Sequence, residues 1–310
     1  MTNITALLKI RYPLIQGGMA NVADGTFAAV VSNAGGLGLI GSGAHDGTWV
    51  RQEIKTCRGL TDNPFGVNIM LMSPHASEIA RIVIEEGVKV VTTGAGSPGI
   101  YMQAWKEVGI IVIPVVASAA LAIRMERMGA DAVIVEGTEA GGHVGELTTM
   151  TIVPQVADAI NIPVIAAGGI ADVRGVLATF ALGAKGIQVG TLLLATKECP
   201  IHDHYKQKII KARDTDTVVT GRGSGAPVRV LKNRMSTEYL SMSMQGTTLE
   251  QLEKLTLGSH RKAVFEGDLD KGSFMAGQVA GMIKEIKTVE QAIKDLFDDI
   301  MTYKDRLEIL

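Results

Sequence analysis

The sequence has few cysteines and none of the common catalytic signatures. Its two cysteines, Cys57 and Cys199, form neither a CxxC pair nor a cluster with other metal ligands, which argues against a disulfide framework and favours a reducing compartment. No GxSxG, HExxH or GxxxxGKS/T motif is present, and no GxGxxG follows the first apolar run. The signatures of serine hydrolases, zinc proteases, P-loop proteins and dinucleotide-binding Rossmann folds are therefore missing.

A large excess of one charge and a long apolar run are also absent. The formal net charge is −2, so nothing in the overall composition indicates a nucleic acid or a membrane surface as a partner. The longest uncharged run, from Val108 to Ile123, is interrupted by Pro114 and Ser118 and is short for a membrane span. The N-terminal residues lack the three regions of a signal peptide. We expect a cytoplasmic protein that binds neither nucleic acid nor membranes.

Short runs rich in Val and Ile alternate with longer amphipathic segments over residues 1–196, a pattern typical of βα units on a parallel sheet. With 310 residues, 46% of them hydrophobic, the chain can bury one large core. Eight runs are predicted to be strands: Pro13 to Gln16, Leu37 to Gly41, Phe65 to Met70, Val88 to Thr93, Ile110 to Val116, Ala132 to Glu136, Pro163 to Ala167 and Gly186 to Gly190. The count of eight favours an α/β fold of the (β/α)8 or TIM barrel type over a doubly wound open sheet.

The βα pattern stops near Cys199 and resumes near Gly272. We predict that residues 1–197 and 272–310 form the barrel and that residues 198–271 form an inserted cap subdomain. Within the cap, the segment from Tyr205 to Arg234 carries eight basic and two acidic residues, a run that is as often a solvated face as a binding site. His202 and His204 have no third ligand nearby, so no metal site is predicted.

Barrel enzymes place their chemistry on the loops that follow the C-terminal ends of the strands. The seventh and eighth predicted strands end in AAGGIAD and QVGT, where this fold commonly holds a phosphate. The backbone N–H groups of Gly168, Gly169, Gly190 and Thr191, near helix N-termini, could bind a phosphate without a basic side chain. The alternative is that these glycines only permit tight turns.

The sixth predicted strand leads into EAGGHVG, residues 139–145, where His143 lies among three glycines. Glycine lets the backbone approach a flat ligand closely, and an imidazole titrates near neutral pH. The alternative is a surface turn with an incidental histidine. The residues alone thus predict a flat, phosphate-bearing cofactor on a barrel, with a histidine over it.

Several motifs carry a resemblance to a known family. They are YPLIQGGMA at 12–20, SNAGGLG at 32–38, PFGVNIM at 64–70, VVTTGAG at 90–96, EAGGHVGELTTM at 139–150, IAAGGIAD at 165–172, QVGT at 188–191 and MAGQVAG at 275–281. Together they resemble the flavin-dependent nitronate monooxygenase and enoyl-acyl carrier protein reductase II superfamily over nearly the whole chain. The GGMANVAD start and the GELTTMT run are more similar to the enoyl reductase branch, the FabK type.

The resemblance implies a TIM barrel with a cap that binds FMN and uses NADH or NADPH to reduce the trans-2 double bond of an acyl thioester on acyl carrier protein, in fatty acid elongation. It further implies a homodimer and activation by potassium or ammonium ions. By resemblance, the FMN phosphate lies at Gly169, Gly190 and Thr191 with Gln188 nearby, and His143 is the active-site histidine. The resemblance places the isoalloxazine ring near Gly17, Gly18, Met19, Asn68, Glu136, Gly142, Ala276, Gly277 and Gln278.

Three other functions remain open, one of them that of a phosphosugar-type barrel without flavin. A nitronate monooxygenase would share the fold and FMN but use oxygen, and a non-catalytic FMN-binding protein would share only the cofactor. The cap is poor in bulky aromatics, with Tyr205, Tyr239 and Phe265 as the chief candidates to shape an acyl channel.

Overall fold

All eight predicted strands form in the computed structural model, which describes residues 3–298 and 300–305, and they pair in parallel around a barrel. In chain order they are β1 (Leu14–Gln16), β2 (Gly38–Gly41), β3 (Phe65–Met70), β4 (Val90–Gly94), β5 (Ile111–Val116), β6 (Val133–Glu136), β8 (Val164–Ala167) and β9 (Gly186–Val189). The short β7 (Gly142–His143) lies outside the barrel sheet. The prediction of a TIM barrel is confirmed.

The barrel closes between β1 and β2. Gln16 N–H donates to the carbonyl oxygen of Leu37 at 2.9 Å, and Leu37 N–H donates to that of Leu14 at 2.8 Å. Two residues beyond Leu37, the acceptor is the buried Gln16 side chain: its Oε1 accepts from Leu39 N–H at 3.2 Å. A side-chain amide thus replaces a backbone carbonyl at the seam.

Helices surround the strands and extend into the cap: α1 (Ile4–Leu8), α2 (Gly25–Asn33), α3 (Gly47–Leu60), α4 (Ala76–Glu85), α5 (Gly99–Glu107), α6 (Ala119–Arg127), α7 (Thr149–Ala159), α8 (Val173–Ala181), α9 (Thr191–Leu194), α10 (Asp203–Ile210), α11 (Arg234–Met244), α12 (Leu249–Thr256), α13 (Ser259–Arg261), α14 (Val289–Phe297) and α15 (Ile300–Asp305). Asp24 and Asp46 cap α2 and α3 through their carboxylates, which explains where these helices begin. No helix of the described residues is long and apolar enough to cross a bilayer.

The core has two layers, separated by the alternation of each strand. Outward-facing residues such as Val67 and Ile69 pack under the helices. Inward-facing residues such as Ile15, Leu39 and Ile134 fill the barrel, and Ile4 of α1 closes its N-terminal end. The opposite end of the barrel, where the strands reach their C-terminal residues, is the end at which barrel enzymes place their active sites.

Residues 198–271, the segment predicted to be a cap, contain α10 to α13 and an antiparallel hairpin of β10 (Thr217–Thr220) and β11 (Val228–Leu231). The free edge of β11 pairs with β7, so the hairpin joins the loop that follows β6. The segment also contacts the chain elsewhere: Tyr205 Oη donates to Met275 O at 2.7 Å, and His260 Nε2 lies 2.9 Å from Ala20 O. The division into barrel and cap stays a prediction.

Candidate functional site

A layer of polar side chains lies at the C-terminal end of the barrel. Asn68 on β3, Glu136 on β6 and Gln188 on β9 follow outward-facing neighbours and so face inward, the direction that strand alternation imposes. Strand register brings Asn68 opposite Thr92 and places Ala167 between Glu136 and Gln188. Thr92 Oγ1 donates to Asn68 Oδ1 at 2.9 Å. The sequence analysis places Thr92 in the VVTTGAG motif at the end of the fourth predicted strand but predicts no role for its side chain.

Glu136 and Gln188 make no side-chain hydrogen bond to the part of the chain that the structure describes. Glu136 keeps some exposed surface at the barrel mouth. The surrounding protein nevertheless shields its carboxyl group from most of the solvent, and this desolvation raises its pKa to about 7. Near neutral pH the carboxyl group can therefore donate as well as accept a hydrogen bond. Two unpaired polar side chains at the barrel mouth are what a polar ligand requires.

The loops after β8 and β9 present free amide groups. Gly168 and Gly169 have φ values of 90° and 77°, which favour glycine and turn the backbone sharply. The N–H groups of Gly168, Gly169, Gly190 and Thr191 donate to no other group of the described residues. The first turn of α8 adds no further free amides from Arg174 and Gly175, since the Asp172 carboxylate accepts from both N–H groups. The unpaired loop amides are the groups available to an anion, and their role as a phosphate site stays a prediction.

The chain that returns from the cap packs closely on both glycine-rich loops. Gly277 N–H donates to Thr191 Oγ1 at 2.9 Å, and Gln278 N–H donates to Glu139 O at 2.9 Å. A Cβ atom at Gly141 would lie 2.6 Å from the carbonyl carbon of Ala276, so only glycine fits there. The structure thus brings Ala276, Gly277 and Gln278 to the same side of the mouth as Thr191.

The QGGM loop continues the rim beside β9. Gly17 N–H donates to Val189 O at 2.8 Å, which ties this loop to the end of β9. Gly18 lies against the Asn68 side chain, and Met19 lies beside Gly190. Every predicted cofactor-binding residue therefore lies around the barrel mouth.

His143 lies on β7, at the edge shared by the barrel and the cap. We call residues 137–147 the histidine loop; Thr138 N–H donates to Leu147 O at 2.7 Å and closes it at its base. Gly142 is buried with a φ of 79°, whereas His143 is exposed and opposite Val228 of β11. The imidazole makes no hydrogen bond within the described residues. It is accessible to a ligand and is placed by its backbone alone.

The basic segment from Tyr205 to Arg234 does not form one exposed basic face. Lys206 and Arg229 are buried, and Lys206 Nζ donates to Lys197 O at 3.0 Å. Arg222 forms an ion pair with Glu146 of the histidine loop. A count of charges along the sequence could not distinguish these structural cations from exposed ones.

Two aromatic candidates for an acyl channel also have structural roles. Tyr205 and Tyr239 are buried, and Tyr205 packs edge-on against Phe274 at a ring distance of 4.8 Å. Phe265 is 49% exposed and lies under the Arg261 guanidinium. Of the three, only Phe265 remains free to contact a substrate.

Other parts of the described chain offer weaker sites. A surface cavity of about 350 Å³ between α7 and α8 is lined by Pro154, Leu182 and Lys185, far from the polar layer. No group of three His, Cys, Asp or Glu side chains suited to a metal occurs among the described residues. His202 Nδ1 instead accepts from His204 N–H at 3.1 Å.

Comparison with known proteins adds to this geometry. The family model described as nitronate monooxygenase matches residues 1–299. Among solved structures, that of FabK from Thermotoga maritima superposes with a TM-score of 0.96 at 50% identity, covering 99% of this chain and 98% of that one.

Curated relatives carry different names. A probable nitronate monooxygenase from Staphylococcus saprophyticus is 33% identical, over 94% of this chain and 97% of its own length. A protein from Mycobacterium tuberculosis named (3aS,4S,5R,7aS)-5-hydroxy-7a-methyl-1-oxo-octahydro-1H-indene-4-carboxyl-CoA dehydrogenase is 32% identical, over 97% of this chain and 96% of its own length. The likeness spans full-length proteins in each case, while the names differ in the reaction.

Proposed function

This chain belongs to the nitronate monooxygenase family of flavin-dependent oxidoreductases, and within that family we propose that it is an FMN-dependent enoyl-acyl carrier protein reductase. The observation that carries the proposal is the placement of His143, exposed at the barrel mouth on a strand shared with the cap. A proton donor at that position suits the reduction of a double bond. The full-length likeness to the FabK structure supports the same choice.

The residues at the mouth fit FMN. The unpaired amides of Gly168, Gly169, Gly190 and Thr191 suit a phosphate dianion, and no basic side chain is needed. Glu136 and Gln188 are unpaired polar groups in the same layer, suited to the hydroxyl and amide groups of a flavin. When bound there, FMN supplies hydride transfer between NADH or NADPH and the substrate.

The protein's own residues supply position, a proton and exclusion of water. The imidazole of His143 donates a proton to the α-carbon of the enoyl thioester as the β-carbon receives hydride. The segment from Ala276 to Gln278 and the QGGM loop border the reacting centre from two sides. The cap hairpin covers the histidine side and limits access of water and oxygen.

The remaining parts of the proposal concern partners. The acyl chain arrives on acyl carrier protein, the protein works as a homodimer in the cytoplasm, and potassium or ammonium ions activate it. The two free cysteines, both buried, are compatible with a reducing compartment.

The principal rival is a nitronate monooxygenase, which the names of the staphylococcal relatives favour. It would use the same cofactor site but pass electrons to oxygen.

One experiment separates the two. The FMN-loaded protein is reduced anaerobically with NADH and then mixed either with crotonyl thioester or with air and a nitronate. Rapid flavin reoxidation with formation of butyryl thioester supports the reductase. No reduction by NADH, together with turnover of the nitronate in air, would replace this proposal with the oxidase.

A further inference from the structure

We propose that Arg229 is a positioning residue for His143: its buried guanidinium holds the histidine loop against the cap and acts through His143, without contacting the substrate. The inference rests on the proposed role of His143, but it assigns a function to a residue that the proposed chemistry does not use.

Arg229 holds the loop at two separate points. Its backbone pairs with Gly142, directly before His143. Its Nε donates to Thr138 O at 3.1 Å, at the base of the loop. Because Thr138 N–H is itself bonded to Leu147 O, fixing Thr138 fixes both ends of the loop. The middle and the base are thereby joined to one residue of β11.

The guanidinium is also fixed on the cap side. Its Nη1 donates to Thr217 Oγ1 at 3.1 Å, which anchors it to β10. The side chain therefore spans three segments: β10, β11 and the histidine loop. A lysine has one terminal amine and could not make this fork with the same geometry.

The charge of Arg229 makes this arrangement costly. The residue is only 6% exposed, and it forms no ion pair within the described residues. Burial lowers its pKa, the nearby Arg222 lowers it further, and Glu139 opposes the shift. A buried cation without a counter-ion costs free energy that an apolar residue of similar size would avoid. The hydrogen bonds to the loop offset that cost and supply rigidity.

The His143 ring has no hydrogen bond of its own in the described chain, so its position depends entirely on the backbone of the loop. A displacement of about 1 Å in a reacting group can lower a rate by about 100-fold. Loosening the loop should therefore impair the step that uses His143 and spare cofactor binding.

The test uses FMN-loaded Arg229→Met and Arg229→Lys, with Arg213→Met as the matched control. Arg213 is an exposed cap arginine whose guanidinium pairs with Asp216 and makes no hydrogen bond or ion pair to residues 137–147. Hydrogen–deuterium exchange of residues 137–147 is measured, with kcat, KM for NADH and a double-mutant cycle with His143→Ala. The kinetic measurements use whichever electron donor and acceptor the wild-type enzyme turns over, and KM is measured for that donor if it is not NADH. The outcome therefore does not depend on the reductase assignment.

For Arg229→Met we expect exchange in residues 137–147 to accelerate about tenfold, with β3 to β5 unchanged. We expect kcat to fall about 10- to 100-fold while KM for NADH and FMN content hold within about twofold. In the cycle, Arg229→Met should add almost nothing to His143→Ala. The lysine variant should lie between wild type and methionine, and Arg213→Met should match wild type.

Additive losses in the cycle would overturn the proposal, because Arg229 would then act independently of His143. Faster exchange throughout the cap and barrel would overturn it as well and leave Arg229 with a role in stability alone. If Arg229→Met does not fold, the lysine variant decides: normal exchange and normal kcat there would refute the proposal. The exchange result stands even if no enoyl thioester is reduced.

Discussion

Thr191 Oγ1 accepts a hydrogen bond of 2.9 Å from the N–H group of Gly277, which lies 86 positions later in the chain. Thr191 follows the last barrel strand, and Gly277 belongs to the segment that returns from the cap. This bond therefore joins the loop expected to hold the phosphate to the segment expected to border the flavin ring. One hydroxyl group thus links the two halves of the proposed cofactor site.

Thr191→Val should weaken this connection without changing the shape of the side chain. Gly277 N–H would remain buried without an acceptor, a loss of about 1–3 kcal/mol in the free energy of unfolding. We expect FMN to bind about tenfold more weakly, which corresponds to about 1.4 kcal/mol. Thermal unfolding and fluorescence titration with FMN measure the two effects. Thr191→Ser keeps the hydroxyl and is the control; equal behaviour of the two variants would show that the bond is unimportant.

Gly141→Ala should separate the histidine loop from the segment around Ala276. The new Cβ would lie 2.6 Å from a backbone carbon, so one of the two segments must move. We expect a loss of about 1–3 kcal/mol in stability, the usual cost of overpacking, and a lower kcat. Urea unfolding and steady-state assays test this. Gly59→Ala, at an exposed position of α3 where a Cβ would meet nothing within 4 Å, is the control and should resemble wild type.

Glu136→Gln should remove a pH dependence of stability. Burial raises the pKa of Glu136 from 4.5 to about 7, so the folded state of the FMN-free protein favours the protonated carboxyl. The resulting stabilisation is fully present below pH 4.5 and is lost as the pH rises through about 7, a change of ~3 kcal/mol. Unfolding free energies between pH 4.5 and 8 should fall in wild type relative to the glutamine variant. A parallel pH dependence in both proteins would contradict the raised pKa.

His143→Ala should affect the two half-reactions differently. FMN should remain bound, because its phosphate site lies on other loops, and flavin reduction by NADH should stay within about tenfold of wild type. Reoxidation by the enoyl thioester should fall by about 10² to 10⁴, the usual contribution of a positioned acid or base. Stopped-flow spectroscopy separates the steps. Equal slowing of both, with loss of FMN, would indicate a structural histidine.

Charge reversal of exposed cap cations tests docking of the acidic carrier protein. Lys211 and Arg234 are exposed and form no ion pair among the described residues, unlike Arg222. The double variant Lys211→Glu, Arg234→Glu should raise KM for a carrier-linked substrate several-fold at low salt, and added salt should reduce the difference. KM for a short thioester without carrier should not change. Lys185→Glu, at the opposite end of the barrel, is the control. An unchanged KM would identify this segment as a solvated face.

The barrel could be predicted from the sequence because strands of a parallel barrel are buried on both faces and appear as continuous apolar runs. Their ends were less accurate. Val88 was predicted to begin the fourth strand, yet its N–H donates to Val83 O and completes the turn after α4, so the strand begins at Val90. A run of apolar residues identifies a strand, but it does not show which carbonyl group accepts the hydrogen bond from the first N–H group of that run.

The site could be predicted only in part. The glycine-rich loops after β8 and β9 lie where the fold places them, and Asn68 and Glu136 follow from alternation along their strands. The pairing of β7 with β11 could not be predicted. It joins segments that are far apart in the sequence, and β7 has only two residues, too few to produce a periodic pattern. The burial of Arg229 could not be predicted for a similar reason. The sequence shows that the residue is charged but not whether its side chain points into the protein or to the solvent.

The pairing of β11 with Gly142 and His143 restricts which cap segments from homologous proteins could replace the one in this chain. Side chains alternate along a strand, so a slip of one residue between β11 and the histidine loop would turn the imidazole to the opposite face. A cap transplanted from a homologue therefore has to keep the spacing of β11 or bring its own histidine loop. Insertions are tolerated better in the turn around Gly223, distal to that pairing, than anywhere between Pro227 and Leu231.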